Sequence, residues 1–186
     1  MRILWKKLSI ILLTSIILIS CYSQSRNKPK NTLKVVSCNK TYLEGTTLLK
    51  TNDKLVEYSS LSVKYKEGKV KFNQTNSKIE LHEGNFLIKK VDIDKNKEYI
   101  SFGLESGKIN FKCKSKIKDV YYSVETPVIK VSTTDNSAYF TVSYGEVTVI
   151  RGNVKVEELE TGKKKTVYSN SPKYEYLFEK SRSKKN

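Results

Sequence analysis

Between residues 35 and 178 apolar side chains recur at every second position. Val63-x-Tyr65, Val70-x-Phe72, Ile79-x-Leu81, Ile109-x-Phe111 and Val120-x-Tyr122-x-Val124 alternate with Lys, Asn, Glu and Ser. Ile129-x-Val131, Phe140-x-Val142, Val147-x-Val149 and Val154-x-Val156 continue the pattern. A period of two describes strands with one buried and one wet face. No helical stripe of useful length follows residue 20, and Val, Ile, Tyr, Phe and Thr dominate with only 3 prolines in the chain. That composition suits strand interiors. The expected fold is all-β: an antiparallel, solenoid-like stack of short hairpins or a two-sheet sandwich, in a single domain over 35–178.

Five of the 8 glycines open the same short figure, Gly–polar–apolar–x–apolar. They are Gly68, Gly84, Gly107, Gly145 and Gly152. Pairs such as Ser106-Gly107 and Arg151-Gly152 have the form of turns in which glycine supplies a positive φ before the next strand. Their spacing is too irregular for a strict solenoid.

The N-terminal segment has a different pattern. Arg2, Lys6 and Lys7 precede a run from Leu8 to Ile19 broken only by Ser9, Thr14 and Ser15. It is shorter than the roughly 20 apolar residues of a resident membrane helix. A basic start, a short apolar middle and a small residue before the cut describe an export signal over 1–20. Leu18-Ile19-Ser20-Cys21 resembles the lipobox of bacterial lipoproteins. The resemblance implies cleavage before Cys21, a diacylglyceryl group on its thiol and an acylated new amino terminus, so that the lipid bilayer is the first partner. Tyr22 and Ser23 leave no Asp directly after the anchor, which favours the outer membrane over the inner. Residues 21–34 then read as the acylated cysteine and a basic tether, spanning roughly 20 Å if flexible. Residues 179–186 read as a basic, frayed tail.

Export changes the meaning of the charge. The chain of 186 residues carries 35 Lys and Arg against 19 Asp and Glu, a formal net charge of +16, which loss of the signal lowers by three. In the cytosol such a balance would point to nucleic acid. Beyond the membrane the polyanions are phospholipid head groups, anionic envelope polymers and host glycans. With Cys21 lipidated, Cys38 and Cys113 remain of the 3 cysteines. An exported pair can form one disulfide, worth roughly 3–5 kcal/mol in the chain-entropy model. The alternative is two buried thiols acting as small hydrophobes.

From Val124 to Val167 the wording is more specific. Thr126-Pro127 is followed by strands at 129–131, 138–143 and 146–151, then by Gly152-x-Val154-x-Val156 and Thr161-Gly162 ahead of Val167. This resembles the core of a FecR-type extracytoplasmic domain, although Asp135-Asn136-Ser137-Ala138 stands where that family has Gly-Thr. The resemblance implies a β platform in the envelope that contacts another protein or the wall. The family's signalling to a cytoplasmic sigma factor is not implied, because only seven residues precede the apolar run.

Catalytic and metal chemistry is sparsely supplied. The 1 histidine, His82, sits opposite Ile79 and Leu81 in the alternation and is expected to face water. Neither a His-rich metal site nor a Cys₂His₂ zinc set can be assembled. Asp92-x-Asp94-x-Asn96-x-Glu98 has oxygen ligands in alternation, but Lys97 and Gly103 occupy the places where an EF-hand needs Gly and Glu. It reads as a charged hairpin tip. Of the 12 tyrosines, Tyr122, Tyr174 and Tyr176 are the candidates for contacting a partner. The expectation is therefore a lipid-anchored, non-enzymatic scaffold or adaptor without cofactor, metal or nucleic acid. It would bind an envelope protein or peptidoglycan, or, in the alternative reading, anionic polymers and host glycans at the cell surface.

Overall fold

The computed structural model describes residues 31–64, 68–74, 76–117 and 119–176. The signal segment, Cys21, most of the tether and the basic tail lie outside the described residues. The strands are β1 (Leu33–Asn39), β2 (Thr41–Leu43), β3 (Thr47–Leu48), β4 (Lys54–Leu55), β5 (Ser60–Val63) and β6 (Lys69–Asn73). They continue with β7 (Ser77–His82), β8 (Gly84–Ile93), β9 (Lys97–Leu104), β10 (Lys108–Lys114), β11 (Asp119–Glu125) and β12 (Ile129–Thr133). The last are β13 (Ser137–Ser143), β14 (Glu146–Arg151), β15 (Asn153–Glu158), β16 (Lys164–Tyr168) and β17 (Tyr174–Glu175). The all-β reading holds. β1 begins at Leu33, two residues inside the stretch read as a tether, because Leu33 is fully buried against the core.

Two sheets form a sandwich. The smaller has 8 strands in the order β4-β1-β6-β7-β10-β13-β14-β17, and the larger has 9 in the order β3-β2-β5-β8-β9-β11-β12-β15-β16. From β5 onward both orders rise with the sequence, so the chain winds along the sandwich, placing a hairpin in one sheet and the next in the other. At the centre β10 stands alone in the smaller sheet between β9 and β11. Those two strands consequently run parallel, with Tyr99 beside Tyr121 and Ser101 beside Ser123. One solenoidal coil is thus embedded in a series of hairpins, and both expected architectures are partly realised.

The recurring glycines mark where the chain changes sheet. Gly84 opens β8 after β7, Gly107 opens β10 after β9, and Gly152 opens β15 after β14. Gly84 has φ 141° and Gly107 has φ 93°. Their two corners are pressed together: a Cβ on Gly107 would lie 1.6 Å from the Glu83 carbonyl oxygen, and one on Gly84 2.1 Å from that of Ser106. Only glycine fits both the backbone and the space. Gly145, in contrast, turns the β13–β14 hairpin within one sheet.

Inward residues of both sheets meet in one core. An aromatic file runs through it, with Phe72 6.2 Å from Phe102, Phe102 5.9 Å from Phe111, and Phe111 stacked 5.4 Å from Phe140. Phe111 also lies 5.8 Å from Tyr122 across the sandwich. The long free edge at β16 carries Lys164 and Lys165, and the other edge strands are two residues long. Both devices discourage edge-to-edge pairing.

Candidate binding face

Alternation fixes which residues leave each sheet, and cross-strand register fixes which of them meet. The strands of the larger sheet carry seven lysines and six carboxylates. Three of its seven lysines are in ion pairs among the described residues. Lys89 reaches Glu125 at 2.5 Å, Lys97 reaches Asp92 at 2.8 Å and Lys164 lies 3.4 Å from Glu157. Tyr99 donates to Asp119 and receives the ammonium groups of Lys90 and Lys97 over its ring at 5.6 and 5.7 Å.

The smaller sheet is built from the same residue types with the opposite result. Its strands carry eight lysines and Arg151 against three carboxylates. Two of those, Glu146 and Glu175, lie at the far edge and share Lys173 at 2.8 and 3.3 Å. From β4 to β13 Glu80 is the sole carboxylate in the strands. It is bound by Lys69 at 2.8 Å and Lys71 at 3.2 Å. Burial pushes the Glu80 carboxyl up, but hydrogen bonds from these two lysines more than reverse it and hold it below the ordinary carboxylate value.

Four of the six remaining lysines meet each other. Lys78 is directly opposite Lys112, and Lys34 is directly opposite Lys54. Like charges so placed destabilise a sheet. Among the described residues none of these four is in an ion pair, nor are Lys108 and Lys114. One row runs Lys69, His82, Lys108 across β6, β7 and β10. A second runs Asn73, Lys78, Lys112, Tyr139, Arg151 as far as β14. Between them Asn110 contacts the His82 ring at 3.1 Å and accepts from the Thr141 hydroxyl at 2.9 Å. A shallow depression of about 250 Å³ is lined by Lys78, Glu80, Asn110, Lys112 and Tyr139. His82 is on this outer face, as expected, with its side chain 30% exposed. Partial burial, then Lys69, lowers its basicity against the pull of Glu80.

Tyr122 is corrected as a partner-contacting residue. It is fully buried, and its neighbour Tyr121, 37% exposed, is the outward one. The inward apolar residues of β11, Tyr122 and Val124, share the core side of the larger sheet. Tyr174 and Tyr176 are half-buried and tied down, donating to Glu158 at 2.8 Å and Glu160 at 2.7 Å. Burial, followed by the bond to Glu158, pushes the Tyr174 hydroxyl up to about 12. These two rings fasten the end of the described chain to the turn after β15. Phe178 lies outside the described residues.

The disulfide alternative is also resolved. Cys38 and Cys113 are free thiols, donating to the carbonyls of Leu49 at 3.1 Å and Ala138 at 3.3 Å. Strands β6 and β7 stand between theirs, which at about 4.8 Å per strand puts them roughly 14 Å apart across the sheet alone. Bridged cysteines need Cα atoms within about 7 Å. Burial pushes both thiols up, so they behave as small hydrophobes.

One buried group was missed in the sequence. Glu98, read as part of a hairpin tip, is 0% exposed. It accepts hydrogen bonds from Ser77 at 2.6 Å and Asn76 at 2.9 Å, which together satisfy its two oxygens. Buried Tyr122 lies close by, its hydroxyl without a well-aligned partner among the described residues. Burial and the charge of Glu98 raise that hydroxyl well above the ordinary tyrosine value. The signal was present: Glu98-x-Ile100-x-Phe102-x-Leu104 places the carboxylate on an apolar face. Among the described residues no cluster of three or more potential metal ligands occurs.

Against this geometry, no family model, no curated protein and no solved structure matches the chain.

Proposed function

We propose that this chain is a lipid-anchored envelope protein, acylated at Cys21, whose β sandwich is a non-enzymatic binding platform. The observation that carries the binding role is the charge asymmetry of its two outer faces. A sheet that sets Lys78 against Lys112 and Lys34 against Lys54 retains an unfavourable arrangement. An anionic partner would offset it. Of the two partners expected for an exported protein of this composition, the basic face favours an anionic polymer over another protein. The only buried carboxylate among the described residues, Glu98, is enclosed by the core and satisfied by Ser77 and Asn76, which fits a structural role better than a catalytic one.

Residues 124–167, which carry the resemblance to FecR-type domains, span the end of β11 and strands β12 to β16 as successive hairpins. Thr126 caps the turn into β12 by accepting from the backbone of Val128 and Ile129. Both features support reading this stretch as the conserved part of such a domain. The test of placement is metabolic labelling with a fatty acid in cells producing the wild type or Cys21→Ala. The wild type should incorporate label and sediment with membranes. A Cys21→Ala protein that keeps both the label and the membrane fraction would overturn the anchor.

A further inference from the structure

We infer that the outer face of the smaller sheet is a site for an acidic polysaccharide, seated over the row of Lys78, Lys112 and Tyr139. This deepens the proposed platform by naming its ligand class, and rests on that reading only for the polymer's being met outside the cell.

Three observations converge on that occupant. Charge comes first: Lys78, Lys108 and Lys112 are outward, exposed and without a carboxylate partner among the described residues. Lysine ammonium groups are point charges that accept single sulfate or carboxylate groups without demanding forked geometry. The second is the neutral lining between the charges. Tyr139 presents a ring beside the Lys112 ammonium, 5.8 Å from its centroid, and Asn110 and Thr141 add an amide and a hydroxyl. An aromatic ring with polar groups around it suits the apolar face and hydroxyls of a sugar.

The third is Glu80 in the same depression. Its carboxylate would repel a polymer whose charges sit on directly linked phosphates without hydroxyls between them, such as a polyphosphate, but would accept a hydroxyl from one whose charges are spaced by sugar rings. A flat bilayer of anionic head groups would engage the lysines and leave the depression unused. The observations therefore favour spaced charges on a sugar backbone.

The test uses the full chain in detergent, with heparin as probe and binding measured over a range of salt. Lys78→Glu with Lys112→Glu should weaken binding at least tenfold and lower the salt slope by about one per lysine removed. Lys155→Glu with Lys165→Glu changes the charge equally on exposed positions of the larger sheet and should alter affinity less than twofold. Tyr139→Ala should cost about tenfold with the slope unchanged, since a ring displaces no counterion. Polyphosphate of matched charge should bind more weakly than heparin. All variants must retain the wild-type circular dichroism spectrum, and Lys78→Gln with Lys112→Gln replaces the glutamates if they do not.

Equal losses from the two double variants would show that net charge, not this face, binds the probe, and would overturn the site. Polyphosphate or phosphatidylglycerol vesicles binding as tightly as heparin, with Tyr139→Ala silent, would overturn the sugar. Either failure is distinguishable from failure of the anchor, which is read from fatty-acid labelling and leaves heparin binding untouched.

Discussion

The two outer faces of this sandwich use one vocabulary and reach opposite ends. Both alternate lysine and small polar residues with apolar ones. On the larger sheet register brings Lys130 between Glu125 and Glu157, and folds Lys97 onto Asp92. On the smaller sheet it brings Lys78 to Lys112 and His82 between Lys69 and Lys108. A composition of this kind therefore says little about binding until the strands are aligned. Charge becomes a site where cross-strand neighbours repeat the same sign, and becomes solvated surface where they alternate.

The comparison depends first on which residues face out. Tyr121 and Tyr122 test this within one strand. Tyr122→Ala should cost about 3–5 kcal/mol in urea unfolding, as expected for a buried aromatic beside Phe111. Tyr121→Ala should cost about 1 kcal/mol or less, because its ring is partly exposed and meets chiefly Tyr99. Similar costs at both positions would mean that β11 is out of register and that the outer faces have been assigned wrongly.

It depends next on which sheet each strand joins. Gly107→Ala should cost about 2–4 kcal/mol, combining a positive φ with a clash against the Glu83 carbonyl. Gly45→Ala shares a positive φ of 74° but opens on empty space, and should cost about 1 kcal/mol. Thermal unfolding of the pair checks this. Equal shifts would mean that the β7–β8 and β9–β10 corners are not pressed together.

A smaller effect tests the comparison by its sign. Lys78→Glu converts a like-charge pair with Lys112 into an attractive one and should stabilise the fold by roughly 0.2–1 kcal/mol. Lys130→Glu meets Glu125 and Glu157 and should destabilise it by a similar amount. The same substitution thus has opposite signs on the two faces, and matching signs would remove the asymmetry.

Much of this organisation was legible in the chain. Strict alternation gave the all-β class and put Ile109, Phe111 and Cys113 in the core, where they are. The glycine figure marked strand openings, although not that four of them, Gly68 before β6 included, stand at crossings between sheets. Tyr122 was legible too, since Val120-x-Tyr122-x-Val124 is an apolar face, and only its aromatic character suggested a contact residue. Strand partners were not legible. Lys78 and Lys112 are distant in sequence, and their meeting depends on β10 crossing back beside β7, which local pattern does not encode. The same non-local order separates Cys38 from Cys113 and leaves both thiols unpaired.

Because the chain has 1 histidine, His82 is a built-in reporter of the basic face. Lys69 and Lys108 flank it, Glu80 and Asn110 contact it, and partial burial first, then Lys69, holds its basicity below the ordinary value of 6.5. In the free protein the folded state binds this proton less readily than the unfolded chain. His82 should thus lower stability as pH falls below about 6.5, with no further loss below its folded value. An anion bound over the face would reverse that shift by favouring the imidazolium. The decisive measurement is an NMR titration of the single imidazole with and without heparin. An upward shift in its midpoint on adding heparin is predicted, and an unchanged midpoint at saturating heparin would contradict the placement of the anionic ligand on the smaller sheet.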